Sequence, residues 1–253
     1  MNKLDKNPNL NTEIIRISNL SHRYKDGTRA LSDINLAITA GEVVILAGPN
    51  GSGKSTLLKH LNGLLTPTQG DLLLQGEPIS KNLRKTRRLV GMVFQDADSQ
   101  IVGETVWDDV AFGPRNLSYN KSKVKERVTE ALETVGLTHL AEKPPYLLSG
   151  GEKRRLAIAG VLAMQPQVVA FDEPFSNLDF PGTRQVLEQM RRLVDAGHTL
   201  IVASHELAGL CQMATRLVVL SHGRIVRDGQ PDLVLADADN LDLKLPCNFG
   251  IDN

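Results

Sequence analysis

Apolar residues along this chain fall into two rhythms. Residues 13–24, EIIRISNLSHRY, and 30–39, ALSDINLAIT, alternate apolar with polar positions, which predicts strands with one buried face in an antiparallel or mixed edge sheet. Residues 43–46, 168–171, 199–204 and 216–226 are instead almost continuously apolar, as strands covered on both faces are. Residues 71–79, DLLLQGEPI, read as one further strand, and 87–95, RRLVGMVFQ, as a segment ending in a buried one. A helical period begins at Ser55 and runs through Leu57, Leu58 and Leu61. From 96 to 165 the pattern is mostly helical; in KVKERVTEALETVGL, residues Val124, Val128, Ala131, Leu132 and Val135 share one face. Helices are also expected between 171 and 199, and after 204.

Strands alternating with helices predict an α/β fold with a parallel sheet flanked by helices, an antiparallel edge sheet and an inserted helical subdomain. The expected limits are 13–95 and 165–230 for the core, 96–164 for the helical subdomain and 231–253 for a short tail. No internal repeat or low-complexity segment interrupts this order.

Composition narrows the functions available. Across 253 residues, 29 Lys and Arg balance 29 Asp and Glu, so no overall basic field exists to hold a nucleic acid backbone. The basic run at 81–88, KNLRKTRR, reads as a solvated helix or loop. Cys211 and Cys247 are far apart and lack metal-ligand spacing, so both are expected to be inert thiols. The polar first residues carry no apolar leader, and no apolar run approaches bilayer length, which predicts a cytoplasmic chain that docks peripherally if it meets a membrane.

The candidate chemistry starts at residues 46–58, LAGPNGSGKSTLL, between a strand and a helix. Gly48, Gly53, Lys54 and Ser55 have the G-x-x-x-x-G-K-S spacing of a phosphate-binding loop. Glycines let successive N–H groups turn inward, the helix N-terminus adds partial positive charge, and Lys54 adds a full one. Ser55 offers a hydroxyl to Mg²⁺ on the terminal phosphates. About 120 residues on, QVVAFDEP ends a buried strand in Asp172 and Glu173, where open parallel sheets place their ligands. Asp172 is expected to hold Mg²⁺ and Glu173 to act as general base. TLIVASHE repeats this geometry with His205, the one histidine of six that directly follows such a strand; His22, His60, His139, His198 and His222 read as solvated or packing residues. LLSGGEKRRLAIAGVL opens a helix with Ser149, Gly150 and Gly151, and Glu152 three residues past the serine completes a capping box. The same helix start is a second anion site, which one nucleotide does not need twice from one chain.

Taken in order, the loop at 48–55, Gln95, LSGGE at 148–152, VVAFDE at 168–173, SNLD at 176–179 and His205 resemble the ATP-binding cassette of ABC transporters, from about residue 14 to 229. The resemblance implies that Gly48, Pro49, Asn50, Gly51, Ser52, Gly53, Lys54, Ser55 and Thr56 bind ATP and that Tyr24 stacks on its base. It implies that Gln95 senses Mg²⁺ and the attacking water, and that Asp179 lies on a loop crossing a dimer interface. Two cassettes, identical or different, would pair head to tail, each ATP lying between one phosphate-binding loop and the other chain's Ser149-Gly150-Gly151. FQDADSQIVGETVWDDVAFGPRNL further resembles the cassettes of energy-coupling-factor importers, with Asp96-Ala97 where many members have Asn-Pro. That group implies a transmembrane subunit, a substrate-binding membrane protein, and uptake of a cobalt or nickel ion or a vitamin. A soluble ABC-type ATPase acting on nucleic acid or ribosomes is the alternative. The long insertions or paired cassettes usual in that class are missing from the sequence.

Overall fold

The computed structural model describes residues 12–236. In chain order it runs β1 (Glu13–Arg23), β2 (Arg29–Thr39), β3 (Val43–Ala47), α1 (Lys54–Leu61), β4 (Gln69–Leu74), β5 (Glu77–Pro78), α2 (Leu83–Leu89) and β6 (Val90–Val93). It continues with α3 (Val106–Asn116), α4 (Lys121–Val135), α5 (Gly150–Leu162), β7 (Val168–Asp172), α6 (Phe180–Asp195), β8 (Thr199–Ala203), β9 (Arg216–Ser221), β10 (Arg224–Gly229) and α7 (Pro231–Ala236).

The strands form two sheets. One is antiparallel, in the order β2-β1-β4-β5; the other has the order β10-β9-β3-β8-β7-β6, parallel except at its β10 edge. Strand periodicity divides β3 between two cores. Val44 and Leu46 join the apolar layer beneath the antiparallel sheet with α1, whereas Val43, Ile45 and Ala47 join the layer formed with the helices. The five α4 residues expected on one face are all buried, packed with α3 and α5. No helix among the described residues is long and apolar enough to cross a membrane.

Three expectations need correction. Residues 216–226 are not one strand but the arms of a hairpin, turned by His222 (φ 47°) and Gly223 (φ 74°). Residues 71–79 likewise break at Gln75 (φ 52°) and Gly76 (φ 77°), with Leu74 pairing to Glu77. Both are two-residue loops with positive φ at each centre, the geometry whose twist matches that of the flanking strands. After β8, residues 204–215 form turns rather than a helix. There Ser204 Oγ accepts from Glu206 N and donates to Glu206 O, and Gly209 takes φ 77°, both of which oppose helical propagation. Cys247, the first eleven residues and the tail beyond 236 lie outside the described residues. Cys211 is half-buried, and burial pushes its thiol up to about 11, so it stays protonated at neutral pH.

Candidate functional site

The C-terminal ends of β3, β7 and β8 open into a cavity of about 520 Å³. At the end of β3 the chain turns through 48–53 before α1 starts at Lys54. Only glycine suits the first position: Gly48 has φ 141°, and a Cβ there would collide with the Leu220 carbonyl oxygen. Lys54 is buried and its Nζ donates to the carbonyls of Gly48 (2.8 Å) and Pro49 (3.1 Å), 3.6 Å from Glu173 Oε1. The cation is thus held over the loop it follows. Asn50, Gly51, Gly53, Lys54, Ser55 and Thr56 all line the cavity.

Parallel pairing of β7 with β8 sets the opposite wall. Ser55 Oγ donates to Asp172 Oδ1 at 2.7 Å. Burial raises the Asp172 carboxyl above its ordinary range, and the Ser55 hydrogen bond opposes that shift. Glu173 sits at φ 45°, a conformation uncommon for a non-glycine residue and fixed here by its N–H donating to Ala203 O at 2.9 Å. Its Oε2 accepts from His205 Nδ1 at 2.8 Å, while the buried Oε1 has no hydrogen-bond partner. One carboxylate oxygen is thus held by the imidazole, while the other makes only the 3.6 Å ion pair with Lys54 and has no hydrogen bond of its own.

Tyr24, just after β1, and Gln95, just after β6, complete the lining. The Tyr24 hydroxyl shares a 3.0 Å hydrogen bond with Thr56 Oγ1. The structure therefore brings together Tyr24, the loop, Ser55, Asp172, Glu173, Gln95 and His205.

Ser149, Gly150, Gly151 and Asp179 do not line the cavity; they form a second cluster, exposed except for the half-buried Gly151. Ser149 caps α5, with its Oγ accepting from Glu152 N and Glu152 Oε2 accepting from Ser149 N at 2.7 Å. Asp179 caps α6 by accepting from Gly182 N at 2.8 Å. A Cβ on Gly151 would lie 3.7 Å from Gly182 Cα, so the two helix starts abut.

One residue of the site escapes sequence reading. Arg154 on α5 is buried and donates to the carbonyls of Phe94 (2.5 Å) and Gln95 (2.6 Å), with a longer bond to Ser176 (3.4 Å). It ties α5 to the segment carrying Gln95 and to the approach to Asp179. A signal did exist: Arg154 shares the helical stripe of Ile158 and Val161, where a charge is out of place.

Comparisons with known proteins identify the family and the fold. The family model described as ABC transporter matches residues 31–176. The energy-coupling factor transporter ATP-binding protein EcfA of Methanocaldococcus jannaschii is 44% identical, over 92% of this chain and 86% of that one. The structure of cbiO1 from Clostridium perfringens, described as part of the ABC transporter complex cbiONQ, superposes with a TM-score of 0.81 at 38% identity, covering 89% of this chain and 91% of that one. The cassette MJ0796, a bacterial ABC transporter cassette solved as a dimer, superposes with a TM-score of 0.77 at 29% identity, covering 86% and 98%. With more than half of its length matched by the family model and a relative this similar along nine-tenths of it, the chain belongs to the ABC transporter family.

Proposed function

We propose that the chain is the ATP-hydrolysing subunit of an energy-coupling-factor importer, working as a cassette dimer on the cytoplasmic face of the membrane. The observation that carries this reading is the single cavity in which Lys54, the Ser55–Asp172 pair and the Glu173–His205 pair converge. Backbone N–H groups of the loop residues that line the cavity, Asn50, Gly51, Gly53, Lys54, Ser55 and Thr56, together with the Lys54 ammonium, bind the phosphates, and the Tyr24 ring takes the adenine. Ser55, Asp172 and Gln95 form a hard-oxygen donor set of the kind Mg²⁺ accepts, few in number and completed by water and phosphate. When bound, Mg²⁺ neutralises charge on the terminal phosphates. Glu173 orients a water and takes its proton on Oε1, while His205 holds Oε2. The second anion site at Ser149, Gly150 and Gly151, outside the lining of this chain's own cavity, fits the nucleotide of a partner cassette. The dimeric MJ0796 cassette supports that assignment, as does Asp179 beside it.

Docking to the membrane subunit fits a groove of about 500 Å³ between β6, α3 and α5. Val102 and Phe112, 62% and 55% exposed, leave apolar surface open on it, and Phe94 and Met164 line it. Arg84 and Arg87 on its rim suit a helix that presents an apolar face with hydrogen-bond acceptors at its edge. The groove reaches the cavity through the adjacent residues Phe94 and Gln95, so one transmembrane-subunit helix seated there would touch the segment that meets the nucleotide. The substrate proposed is a cobalt or nickel ion or a vitamin, and the membrane subunits, not this chain, would bind it.

The test is co-purification of the tagged chain from detergent-solubilised membranes of its host. Recovery with a multi-span membrane protein and a second, substrate-binding one supports the importer. Recovery only in the soluble fraction, with ribosomes or nucleic acid, rejects it and leaves the ATPase reading standing.

A further inference from the structure

Behind Tyr24 lie two histidines that the hydrolytic chemistry leaves unused. His60, in the last turn of α1, is 1% exposed, and His22, near the end of β1, is 7% exposed. His60 Nδ1 lies 2.7 Å from the Thr56 carbonyl oxygen, and His60 Nε2 lies 3.2 Å from His22 Nδ1, which is itself 3.2 Å from the Thr66 carbonyl oxygen. Their partners fix the tautomers. A carbonyl only accepts, so His60 Nδ1 carries a proton; His22 Nδ1, facing the Thr66 carbonyl, carries one too, which leaves His60 Nε2 as acceptor and the His60 ring neutral, while His22 Nε2 is buried without a hydrogen-bond partner. The donation runs from His22 to His60 to Thr56.

This chain closes on the base platform. The His22 ring stands edge-on to His60 and to Tyr24, both at a centroid distance of 4.7 Å. Tyr24 returns to Thr56 through its hydroxyl, 3.0 Å from Thr56 Oγ1. Tyr24, Thr56, His60 and His22 therefore form a closed circuit between the strand that carries the aromatic and the helix that follows the phosphate-binding loop. Both Tyr24 and Thr56 line the nucleotide cavity; neither histidine does.

We propose that His60 and His22 are positioning residues for the nucleotide base: their hydrogen-bonded pair locks the Tyr24 ring at a fixed offset from the phosphate-binding loop, so the adenine end of ATP, not its triphosphate end, depends on them. The proposal rests on the ATP reading of the cavity. Its physical basis is preorganisation: a stacking ring already immobile loses less freedom when the base arrives. Base–aromatic stacking is worth about 1–3 kcal/mol, and losing part of it corresponds to roughly tenfold in affinity.

The experiment compares binding of ATP and of inorganic tripolyphosphate, both with Mg²⁺, to the full chain and its variants, with ATPase kinetics alongside. His60→Leu keeps bulk but removes both ring nitrogens. Its affinity for ATP should fall roughly tenfold while that for tripolyphosphate changes less than about twofold, and KM should rise with kcat at saturation nearly kept. Two variants at the other ring each remove one half of its contacts. His22→Gln retains an N–H toward His60 but not the ring against Tyr24, and His22→Phe retains the ring but not the donor; each opens the circuit and should weaken ATP while leaving tripolyphosphate within about twofold. If His60→Leu does not fold, the two His22 variants carry the test. Equal weakening of both ligands, or unchanged ATP binding in His60→Leu and His22→Phe, overturns the proposal. A parent protein that binds tripolyphosphate as tightly as ATP, with Tyr24→Ala without effect, overturns instead the base-stacking reading beneath it.

Discussion

Asp172 and Glu173 are neighbours in sequence with opposite demands on their surroundings. Burial raises the Asp172 carboxyl, so the folded protein holds its proton more tightly than the unfolded chain does. A raised carboxyl contributes most stability below its unfolded value, near 4, and loses that contribution as pH rises through its folded value. Above its folded value the ionised Asp172 is therefore a liability to the fold. Asp172→Asn, which can still accept from Ser55, should melt about 2–4 °C higher without nucleotide and lose Mg²⁺-dependent hydrolysis; a lower melting temperature contradicts the argument. Glu173→Gln should keep ATP affinity and drop turnover by about a hundredfold or more, since an amide can hold the water but cannot take its proton. Turnover within a few fold of the parent in a single-turnover assay removes Glu173 as the base. Both residues were legible in sequence because a carboxylate at the end of a buried strand is conspicuous. Arg154 was passed over: its place on the apolar stripe of α5 marks it as unusual, but its partners are backbone carbonyls, which leave no trace in residue identity.

Elements in this chain were read best where one periodicity ran uninterrupted. The strand at 43–46 and the face of α4 follow from apolar spacing alone. The β4–β5 and β9–β10 hairpins were missed because their turns are Gln75-Gly76 and His222-Gly223, not the Asn-Gly or Asp-Gly that announces such a loop. The turns after β8 were missed because local side-chain bonds and one left-handed glycine decide the matter there. Contacts between elements are harder still to anticipate, and Arg154 is the instance with most at stake. Its guanidinium supplies hydrogen bonds to three carbonyls on two segments, and Arg154→Met would leave those groups buried and unpaired. The expected loss is about 2–4 kcal/mol in denaturant unfolding, with ATPase activity falling further than the fraction unfolded accounts for. A loss of activity that merely tracks unfolding would reduce Arg154 to a structural tie.

Across the whole molecule, the proposed site is divided. The cavity and the Ser149–Asp179 cluster are separate within one chain, so hydrolysis should depend on association. Ser149→Arg should bind ATP as the parent does yet hydrolyse none, and mixing it with Glu173→Gln chains should restore no more than one active site per mixed dimer. Parent-level hydrolysis by Ser149→Arg alone would show that each chain is self-sufficient. Sequence motifs gave both groups of residues, but only the fold shows that they do not line one cavity.

The division of β3 between two apolar layers has a consequence for how the protein comes apart. Its alternate residues are committed to opposite sides, so neither layer can loosen without disturbing the strand that anchors the other. Amide hydrogens of β3 should then exchange with solvent only through global opening, at the slowest rate in the chain. The two layers should melt as one cooperative unit, and the backbone leading into the phosphate-binding loop would be the last part of the molecule to be released.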